Sequence, residues 1–461
     1  MEKQTEGNLT EGPILKVLTK LALPIMASAF LSTAYSITDM AWIGMLGSKA
    51  VAGVGVGGMF CWLSQGLASL ARMGGQVHAG QSLGKGDRKT AADYCRGTMQ
   101  LSVLFGIVFG AICIIFCNQL VGFFGLEDPV TIGYARTYLK ITCGLIIFSY
   151  INYALTGLYT AQGDSKTPLK ANFTGLVINM ILDPVLIFGL GPFPEMGVAG
   201  AAVATVTAHV VVTIGLLMAI SRSEKEKNIL KDLQMTRISE PGIFASIIRL
   251  GGPTALQSTL YCGISMVLTR MIAAFGEPAV ATQRVGGQIE SVSWNTADGF
   301  AAAMNAFAAQ NYGAGKMDRV KKGYRISAIT VGLWGLLVAL AFVLLPEQIS
   351  GIFFHEAEVI PVSVQYLIIV GLSEPFMCVE LMAIGAISGL GNTKICSMIS
   401  IIFTSMRIPL ALILGSTTLG INGIWWALTL TSMAKGIVLH LTFYYQCRKL
   451  EQQMAQKAGT A

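Results

Sequence analysis

The chain has 461 residues, of which 53% are hydrophobic and only 12% are Asp, Glu, Lys or Arg. Soluble domains contain about 25% charged residues, so this composition excludes a soluble enzyme and indicates an integral membrane protein. The formal net charge is +7, and the nine cysteines include no C-x-x-C pair. The cysteine spacing therefore predicts neither a disulfide framework nor a metal site.

Apolar runs long enough to cross a bilayer recur along the whole chain. A run of about 20 apolar residues is sufficient to span the hydrocarbon layer as a helix. Such runs lie at approximately residues 15–43, 50–79, 95–119, 130–160, 168–190, 197–220, 243–274, 279–308, 325–345, 359–388, 395–415 and 421–445. The sequence thus predicts an all-α, polytopic membrane protein with twelve transmembrane helices.

Basic residues are concentrated in alternate loops of this arrangement. The loops after spans two, six and eight contain several Lys and Arg residues, whereas residues 189–197, 345–361 and 415–423 contain none. Because Lys and Arg are retained on the cytoplasmic side of a membrane, both chain termini are expected to be cytoplasmic.

A long polar segment, residues 223–240, divides the chain into two related halves, in which Pro24 corresponds to Pro253 at an offset of 229. Because each half contains an even number of spans, both enter the membrane from the same side and form a parallel repeat. We therefore expect two pseudo-symmetric six-helix lobes, residues 1–222 and 241–461, joined by a cytoplasmic linker. Such repeats place the substrate site between the lobes.

One apolar run, residues 173–190, contains Asn179, Asp183 and Pro184 within about one helical turn. A charged side chain near mid-bilayer costs about 2.5–3.5 kcal/mol on insertion scales, so Asp183 requires a compensating role. Residues four apart lie on one face of a helix, and Pro184 leaves the carbonyl of Met180 without its helical partner. These oxygens predict a site for a small cation or a proton. The alternative is a helix-packing amide beside a kink-forming Asp-Pro pair.

A second carboxylate, Asp39, lies in the first apolar run. In the aligned repeat its counterpart is Leu268, and the counterpart of Asp183 is Ile408. The scaffold is doubled, but these carboxylates occur only in the first half, which disfavours a purely structural role. The first lobe is therefore predicted to be the cation-coupling lobe.

Two further acidic residues, Glu290 and Asp298, are eight positions apart on the eighth predicted span. This spacing places them on one helix face. They are expected either to line the cavity between the lobes and attract cationic substrates, or to pair with Arg284 or Arg407.

Short matches to enzyme motifs are contradicted by their sequence context. Gly53–Gly58 fits G-x-G-x-x-G, but it lies in a predicted membrane helix outside any βαβ unit, so we interpret it as small residues for helix packing. No G-x-x-x-x-G-K-[ST] sequence occurs, which disfavours ATP-driven transport. We expect no enzymatic activity, and no cofactor apart from a coupling Na⁺ or H⁺.

Several motifs, taken as a set, resemble those of the MATE (multidrug and toxic compound extrusion) transporters over essentially the whole chain from Pro24. The motifs that carry the resemblance are Thr38-Asp39, Ile43-Gly44, Leu46-Gly47, the paired glycine-rich loops at 80–86 and 309–315, Leu182-Asp183-Pro184 and Gly197–Thr205. The resemblance implies export of drugs or organic cations by alternating access, driven by inward Na⁺ or H⁺. We expect a monomer in a plasma membrane of the bacterial inner-membrane type, with lipid and small amphiphilic or cationic substrates as partners and no nucleic acid.

The resemblance also implies site residues. In relatives with a cation site in the first lobe, the ligands lie at positions that match Asp39, Asn179, Asp183 and Thr205. Further polar positions that line the same cavity match Tyr35 and Asn152. The resemblance therefore implies that Na⁺, if it is the coupling ion, binds within the first lobe.

The second half departs from NorM-type members, which carry a glutamate on span seven and an aspartate on span ten. Here those neighbourhoods read Tyr261–Gly263 and Met377-Cys378, and Glu374 and Glu380 flank the second position. A second cation site that uses one of these glutamates remains an open alternative, and the pattern is nearer the DinF-type arrangement. The alternative function is a flippase for lipids or lipid-linked sugars, which the scarcity of Lys and Arg in the central spans disfavours.

Overall fold

The computed structural model describes residues 8–224, 228–353 and 358–459. Outside this description lie residues 1–7, 225–227, 354–357 and 460–461. They belong to the predicted lobes, linker and one outer loop. The described chain is almost entirely α-helical, and no β-strand occurs within it.

Residues 8–224 and 228–240 of the described chain form eight α-helices and a short 3₁₀ helix. They are α1 (Ile14–Gly44), α2 (Ser48–Gly84), α3 (Arg88–Ile115), α4 (Cys117–Gly122), α5 (Pro129–Thr142), α6 (Ile147–Ala161), α7 (Lys166–Phe188), α8 (Val198–Arg222) and the 3₁₀ helix Ile229–Asp232.

The second half forms nine α-helices within the described residues. They are α9 (Pro241–Ala273), α10 (Glu277–Gly313), α11 (Met317–Leu344), α12 (Pro346–Phe353), α13 (Val359–Gly371), α14 (Glu374–Gly389), α15 (Thr393–Ser405), α16 (Arg407–Gly415) and α17 (Ile421–Gly459).

The helix boundaries repeat between the two halves. Helices α2 and α10 each contain 37 residues, and α3 and α11 each contain 28. The first and last residues of each pair are 229 positions apart, the same offset that relates Pro24 to Pro253. The internal repeat is therefore present in the secondary structure as well as in the sequence.

Each predicted span overlaps one α-helix or two consecutive α-helices. Eight spans of the described chain are apolar and long enough to cross a membrane, and two bent pairs, α5 with α6 and α13 with α14, raise this number to ten. The bends are 49° and 47°. The two other predicted spans correspond to α9 and α10, whose charged residues, such as Arg249, Arg270, Arg284 and Glu290, lower their hydropathy. The prediction of an all-α polytopic membrane protein is confirmed.

The chain forms two compact units whose limits differ from the halves of the sequence. Unit one contains Ala27–Ala255, and unit two contains Leu9–Met26 and Leu256–Ala461. Helices α1 and α9 therefore each contribute to both units, and each changes unit two residues after a proline, Pro24 or Pro253. A proline inside a helix removes one backbone hydrogen bond, so both crossings lie at equivalent weak points of the repeat.

The segment before each of these two helices is fixed by side chains of the unit in which the helix begins. In unit two, Leu9 donates its backbone N–H to Gln310 Oε1 at 3.0 Å, and Asn311 Nδ2 donates to the Leu9 carbonyl at 3.1 Å. In unit one, Ser239 donates its N–H to Gln100 Oε1 at 3.0 Å, and Gln100 Nε2 donates to the Arg237 carbonyl at 2.9 Å. The two anchors satisfy backbone groups that precede each helix.

Small residues bring α7 and α8 together in unit one. A Cβ atom on Gly200 would lie 2.4 Å from the carbonyl oxygen of Leu186, and one on Gly175 would lie 2.4 Å from Val212 Cγ2. Both approaches are too short for any larger side chain, so these glycines permit close helix packing. The contact places the polar residues of α7 beside those of α8.

Candidate cation site

The carboxylate and the amide of α7 form one buried pair. Asn179 and Asp183 are 1% and 0% exposed, and Asn179 Nδ2 donates to Asp183 Oδ1 at 3.3 Å. The predicted spacing of one helical turn is thus realised as a direct contact. The remaining side-chain oxygens, Asn179 Oδ1 and Asp183 Oδ2, are buried and have no hydrogen-bond partner in the described chain.

Helix α1 brings a second carboxylate to this pair. Asp39 is 8% exposed, and its Oδ1 is also buried without a hydrogen-bond partner among the described residues. Asp39 and Asp183 interact electrostatically, and Tyr35 interacts with both. Two carboxylates that are 144 positions apart in the chain therefore belong to one polar pocket inside unit one.

A pair of hydroxyl groups joins α1 to α8 at this pocket. Tyr35 Oη lies 2.9 Å from Thr205 Oγ1, and Thr205 also donates to the carbonyl of Ala201 at 3.0 Å. Both residues are partly buried. The four residues predicted as cation ligands, together with Tyr35, thus come from α1, α7 and α8 of a single unit.

Asn152 joins α6 to α8 in the same unit. Its Nδ2 donates to the carbonyl of His209 at 2.9 Å, and its Oδ1 accepts from Thr213 Oγ1 at 2.8 Å. These bonds hold α6 against α8 at a level close to His209. Asn152 therefore supports α8, the helix that carries Thr205.

The two acidic residues predicted to attract substrate lie in unit two. Glu290 accepts a hydrogen bond from the hydroxyl of Tyr366 and interacts electrostatically with Arg407. Arg407 itself donates to Thr431 Oγ1 at 3.2 Å and to Ser432 Oγ at 2.8 Å. Asp298 is partly buried on the same helix, two turns away.

Sequence reasoning missed Lys435, a buried cation of unit two. Lys435 Nζ and Glu380 form an ion pair at 2.8 Å, and both residues are 6% exposed. Of the two glutamates that flank the span-ten position, Glu380 is therefore already paired, whereas Glu374, 1% exposed, keeps a buried Oε2 without a hydrogen-bond partner in the described chain. The available signal was a lysine inside the apolar run 421–445.

The donor atoms of the pocket in unit one are of the kind that binds a small hard cation or a proton. Its unpartnered atoms are oxygens from two carboxylates and one amide. Hard cations such as Ca²⁺ and Mg²⁺ are bound in proteins by carboxylate and amide oxygens. Burying such oxygens without a partner is unfavourable. No group of three His, Cys, Asp or Glu side chains in the described chain is placed to hold a metal ion, so the amide and hydroxyl oxygens would be needed to complete a coordination shell.

Comparison with known proteins decides the family. The family model described as MatE matches residues 24–185 and 253–413, one match in each half of the repeat. The chain belongs to the MatE family. Members of this family are transporters and not enzymes, so the expected absence of catalytic residues agrees with the family. The DinF-type subtype stays a prediction.

MatE relatives cover nearly the whole chain. A probable multidrug resistance protein NorM from Thermotoga maritima is 29% identical over 421 residues, covering 89% of this chain and 88% of that protein. A protein named FAD transporter from Shewanella oneidensis is 24% identical over 459 residues, covering 98% of each.

Solved MATE structures share the fold. An outward-facing multidrug resistance MATE family transporter superposes with a TM-score of 0.89 at 22% identity, over 97% of this chain and 99% of that one. A MOP superfamily transporter from Pyrococcus furiosus gives 0.88 at 22% identity, over 98% of this chain and 100% of that one.

Proposed function

We propose that this MatE family protein exports small amphiphilic or cationic molecules in exchange for Na⁺ or H⁺, which binds between Asp39 and Asp183. The observation that carries the proposal is the set of three buried, unpartnered oxygens: Asp39 Oδ1, Asn179 Oδ1 and Asp183 Oδ2. A cation or a proton at this place supplies the partner that these atoms lack.

The two buried carboxylates favour a transient ligand over a permanent protein partner. Ionisable residues inside a membrane usually pair with one another or mark an ion pathway. Here the two carboxylates have the same sign of charge and no Lys or Arg of the described chain forms an ion pair with either. One positive charge that enters down the membrane potential supplies about 2.3 kcal/mol per 100 mV, which is available to drive export.

Helix α1 is the element that can transmit cation binding. It carries Tyr35 and Asp39 in unit one, while its first part, up to Met26, belongs to unit two. A cation that draws Asp39 toward α7 acts on a helix weakened at Pro24, where one backbone hydrogen bond is missing. We therefore propose that cation binding biases α1, and through α1 the alternation of access.

The substrate class is proposed from the relatives' names and remains to be measured. Several relatives are named probable multidrug resistance proteins, whereas the Shewanella relative is named FAD transporter. An organic cation and FAD differ in charge sign, so the two substrates are distinguishable in one assay. The flippase alternative predicts movement of lipid-linked sugars without an imposed gradient.

The test is transport by the purified protein in proteoliposomes with a Na⁺ gradient, a proton gradient or neither. We expect uptake or release of a fluorescent organic cation only when one of the gradients is present. The matched control is the same protein with Leu268→Asn, which alters the repeat counterpart of Asp39 in unit two. Gradient-independent movement, or exchange of FAD with no exchange of the cation, would contradict the proposed substrate and coupling.

The proposed orientation has a separate test. A plasma-membrane protein with cytoplasmic termini should expose cysteines introduced at Lys85, Ser223 and Lys316 to a membrane-impermeant maleimide from the cytoplasm only. A cysteine at Glu195 should react from outside; the second external position, Glu356, lies outside the described residues. A monomer is expected, with light scattering of the detergent-solubilised protein as the check.

A further inference from the structure

Three thiols from different helices converge inside unit one. Cys61 on α2 lies with its Sγ 3.3 Å from Cys143 Sγ at the C-terminal end of α5, and Cys113 on α3 lies near Cys143 in the same buried cluster. Cys143 and Cys113 are 0% and 1% exposed, whereas Cys61 is partly exposed. A buried cysteine by itself behaves as a small apolar side chain, but packing alone does not require three thiols at one point.

The position of Cys143 makes this pair suited to a covalent link. It follows the last residue of α5, at the break where α5 and α6 meet with a bend of 49°. A disulfide has an S–S length of about 2.05 Å, so the two sulfur atoms need to approach by about 1.3 Å. Cys143 is buried and follows the last residue of α5, so a small shift of the α5–α6 break would close this gap.

The pair lies in a buried, mostly apolar cluster close to the cation pocket. Cys61 Sγ also donates to Thr142 Oγ1 at 3.6 Å, and Tyr35 and Tyr138 interact electrostatically with Cys61. Tyr138 interacts with Asp39 as well. A bond between Cys61 and Cys143 would therefore fix α2 to the α5–α6 bend beside the residues of α1 that form the pocket.

We propose that Cys61 and Cys143 form a disulfide when the protein meets a hydroperoxide, and that this bond arrests the α5–α6 bend. The hydroperoxide oxidises the Cys61 thiol to a sulfenic acid and is itself reduced to an alcohol, or to water when it is hydrogen peroxide. The Cys143 sulfur then attacks the Cys61 sulfur, the S–S bond forms, and the sulfenic oxygen leaves as water with the Cys143 proton. The partly exposed thiol is thus the one oxidised first, and the buried thiol resolves it.

Formation of the bond is tested without any transport assay. The full-length protein in lipid nanodiscs is treated with hydrogen peroxide, the free thiols are alkylated after denaturation, and the peptides are analysed by mass spectrometry. We expect a linked Cys61–Cys143 peptide pair that disappears on reduction with dithiothreitol. Linkage of Cys113 to Cys143 instead, or oxidation of Cys262 with no linked pair at all, would overturn the proposal.

Three variants sharpen the assignment. Cys61→Ser and Cys143→Ser should each abolish the linked pair, whereas Cys113→Ser should retain it because the Cys61–Cys143 contact does not involve its sulfur. Cys95→Ser is the matched control, since Cys95 is a buried free cysteine, 0% exposed, that belongs to a different apolar cluster. Loss of the linked pair in Cys113→Ser, or in Cys95→Ser, would contradict the assignment.

The effect on exchange rests on the proposed function and has its own control. Gradient-driven exchange is first measured on the reduced protein, which tests the proposed function alone. Peroxide should then remove most of the exchange in the wild-type protein, dithiothreitol should restore it, and Cys61→Ser should be insensitive to peroxide. A fully linked protein that exchanges at the reduced rate would show that the disulfide does not arrest the bend.

Discussion

Tyr35 donates a hydrogen bond to Thr205 across 170 positions of the chain, and this contact joins α1 to α8 at 2.9 Å. The donor follows from proton counting. Thr205 has one hydroxyl proton, which goes to the Ala201 carbonyl at 3.0 Å, so Tyr35 supplies the proton of the 2.9 Å contact. The lone pairs of the Tyr35 oxygen then remain available beside Asp39 and Asp183, the two residues with which Tyr35 interacts electrostatically.

The first prediction concerns this hydroxyl pair. Tyr35→Phe and Thr205→Val should each lower thermal stability, because a partly buried hydrogen bond contributes about 0.5–1.5 kcal/mol. The double variant should be less destabilised than the sum of the two single variants, since both changes remove one shared bond. Thermal unfolding of the four proteins in detergent measures this coupling. Strict additivity would show that the two hydroxyl groups do not interact.

The second prediction concerns the asymmetry between the repeated halves. Asp39→Asn and Asp183→Asn should abolish gradient-driven exchange while the protein remains folded and inserted, because a neutral amide cannot take up the charge of the coupling ion. The matched variants Leu268→Asn and Ile408→Asn should reduce stability more than coupling. Exchange at the wild-type rate by either aspartate variant would refute the assignment of coupling to unit one.

The third prediction concerns competition between the two proposed coupling ions. Asp39 and Asp183 belong to one pocket and interact electrostatically, so a proton bound to either carboxylate should oppose the binding of Na⁺ there. Apparent Na⁺ affinity should therefore weaken as the pH falls. Calorimetric titration of the detergent-solubilised protein at several pH values measures it. An affinity that is constant between roughly pH 5 and 8 would eliminate a shared site.

The fourth prediction concerns the buried ion pair of unit two. Removing one partner leaves an uncompensated charge, so Lys435→Met or Glu380→Met alone should destabilise the protein by about 3–5 kcal/mol, whereas the double variant should be much less affected. Glu380→Met should be the worse of the two, because Lys435 then faces Arg407, with which it interacts unfavourably. Thermal and denaturant unfolding of the three variants provides the comparison. Equal losses in all three would show that the charges are not paired in the folded protein.

The fifth prediction concerns acid stability outside the membrane. Asp128 caps α5: its carboxylate accepts from the Thr131 hydroxyl at 2.7 Å, from Lys49 Nζ at 2.9 Å and from the Thr131 N–H at 2.9 Å. These bonds lower the pKa of Asp128 to about 2, and the bond from the Thr131 hydroxyl has the largest effect.

The sign of this effect follows from the two pKa values. An unfolded Asp has a pKa of about 3.9, so the stabilisation by Asp128 is fully present above that pH and is lost as the pH falls toward 2. The difference in melting temperature between wild type and Asp128→Asn should therefore shrink between pH 6 and pH 2. A difference that does not change over this range would contradict the assigned cap.

The sequence by itself determined the features that depend on local spacing. Asn179 and Asp183 are four apart on one helix, so their contact at 3.3 Å follows from helical geometry once the run is helical. The all-α membrane architecture follows from hydropathy, and the repeat follows from sequence correspondences such as Pro24 with Pro253 at an offset of 229. The family resemblance further placed Asp39 and Thr205 with this pair, although neither is near it in the chain.

The tertiary structure decided the features that join distant parts of the chain. It decided that α1 and α9 pass from one unit to the other. It also formed the Lys435–Glu380 ion pair and the Cys61–Cys143 contact, each of which joins residues more than fifty positions apart. Hydropathy and helical periodicity report which face of a single helix is apolar, and they contain no term for which other helix packs against that face. Only the packing of α2 on α5 and of α14 on α17 brings these side chains within bonding distance, since each such contact depends on how two helices fit together.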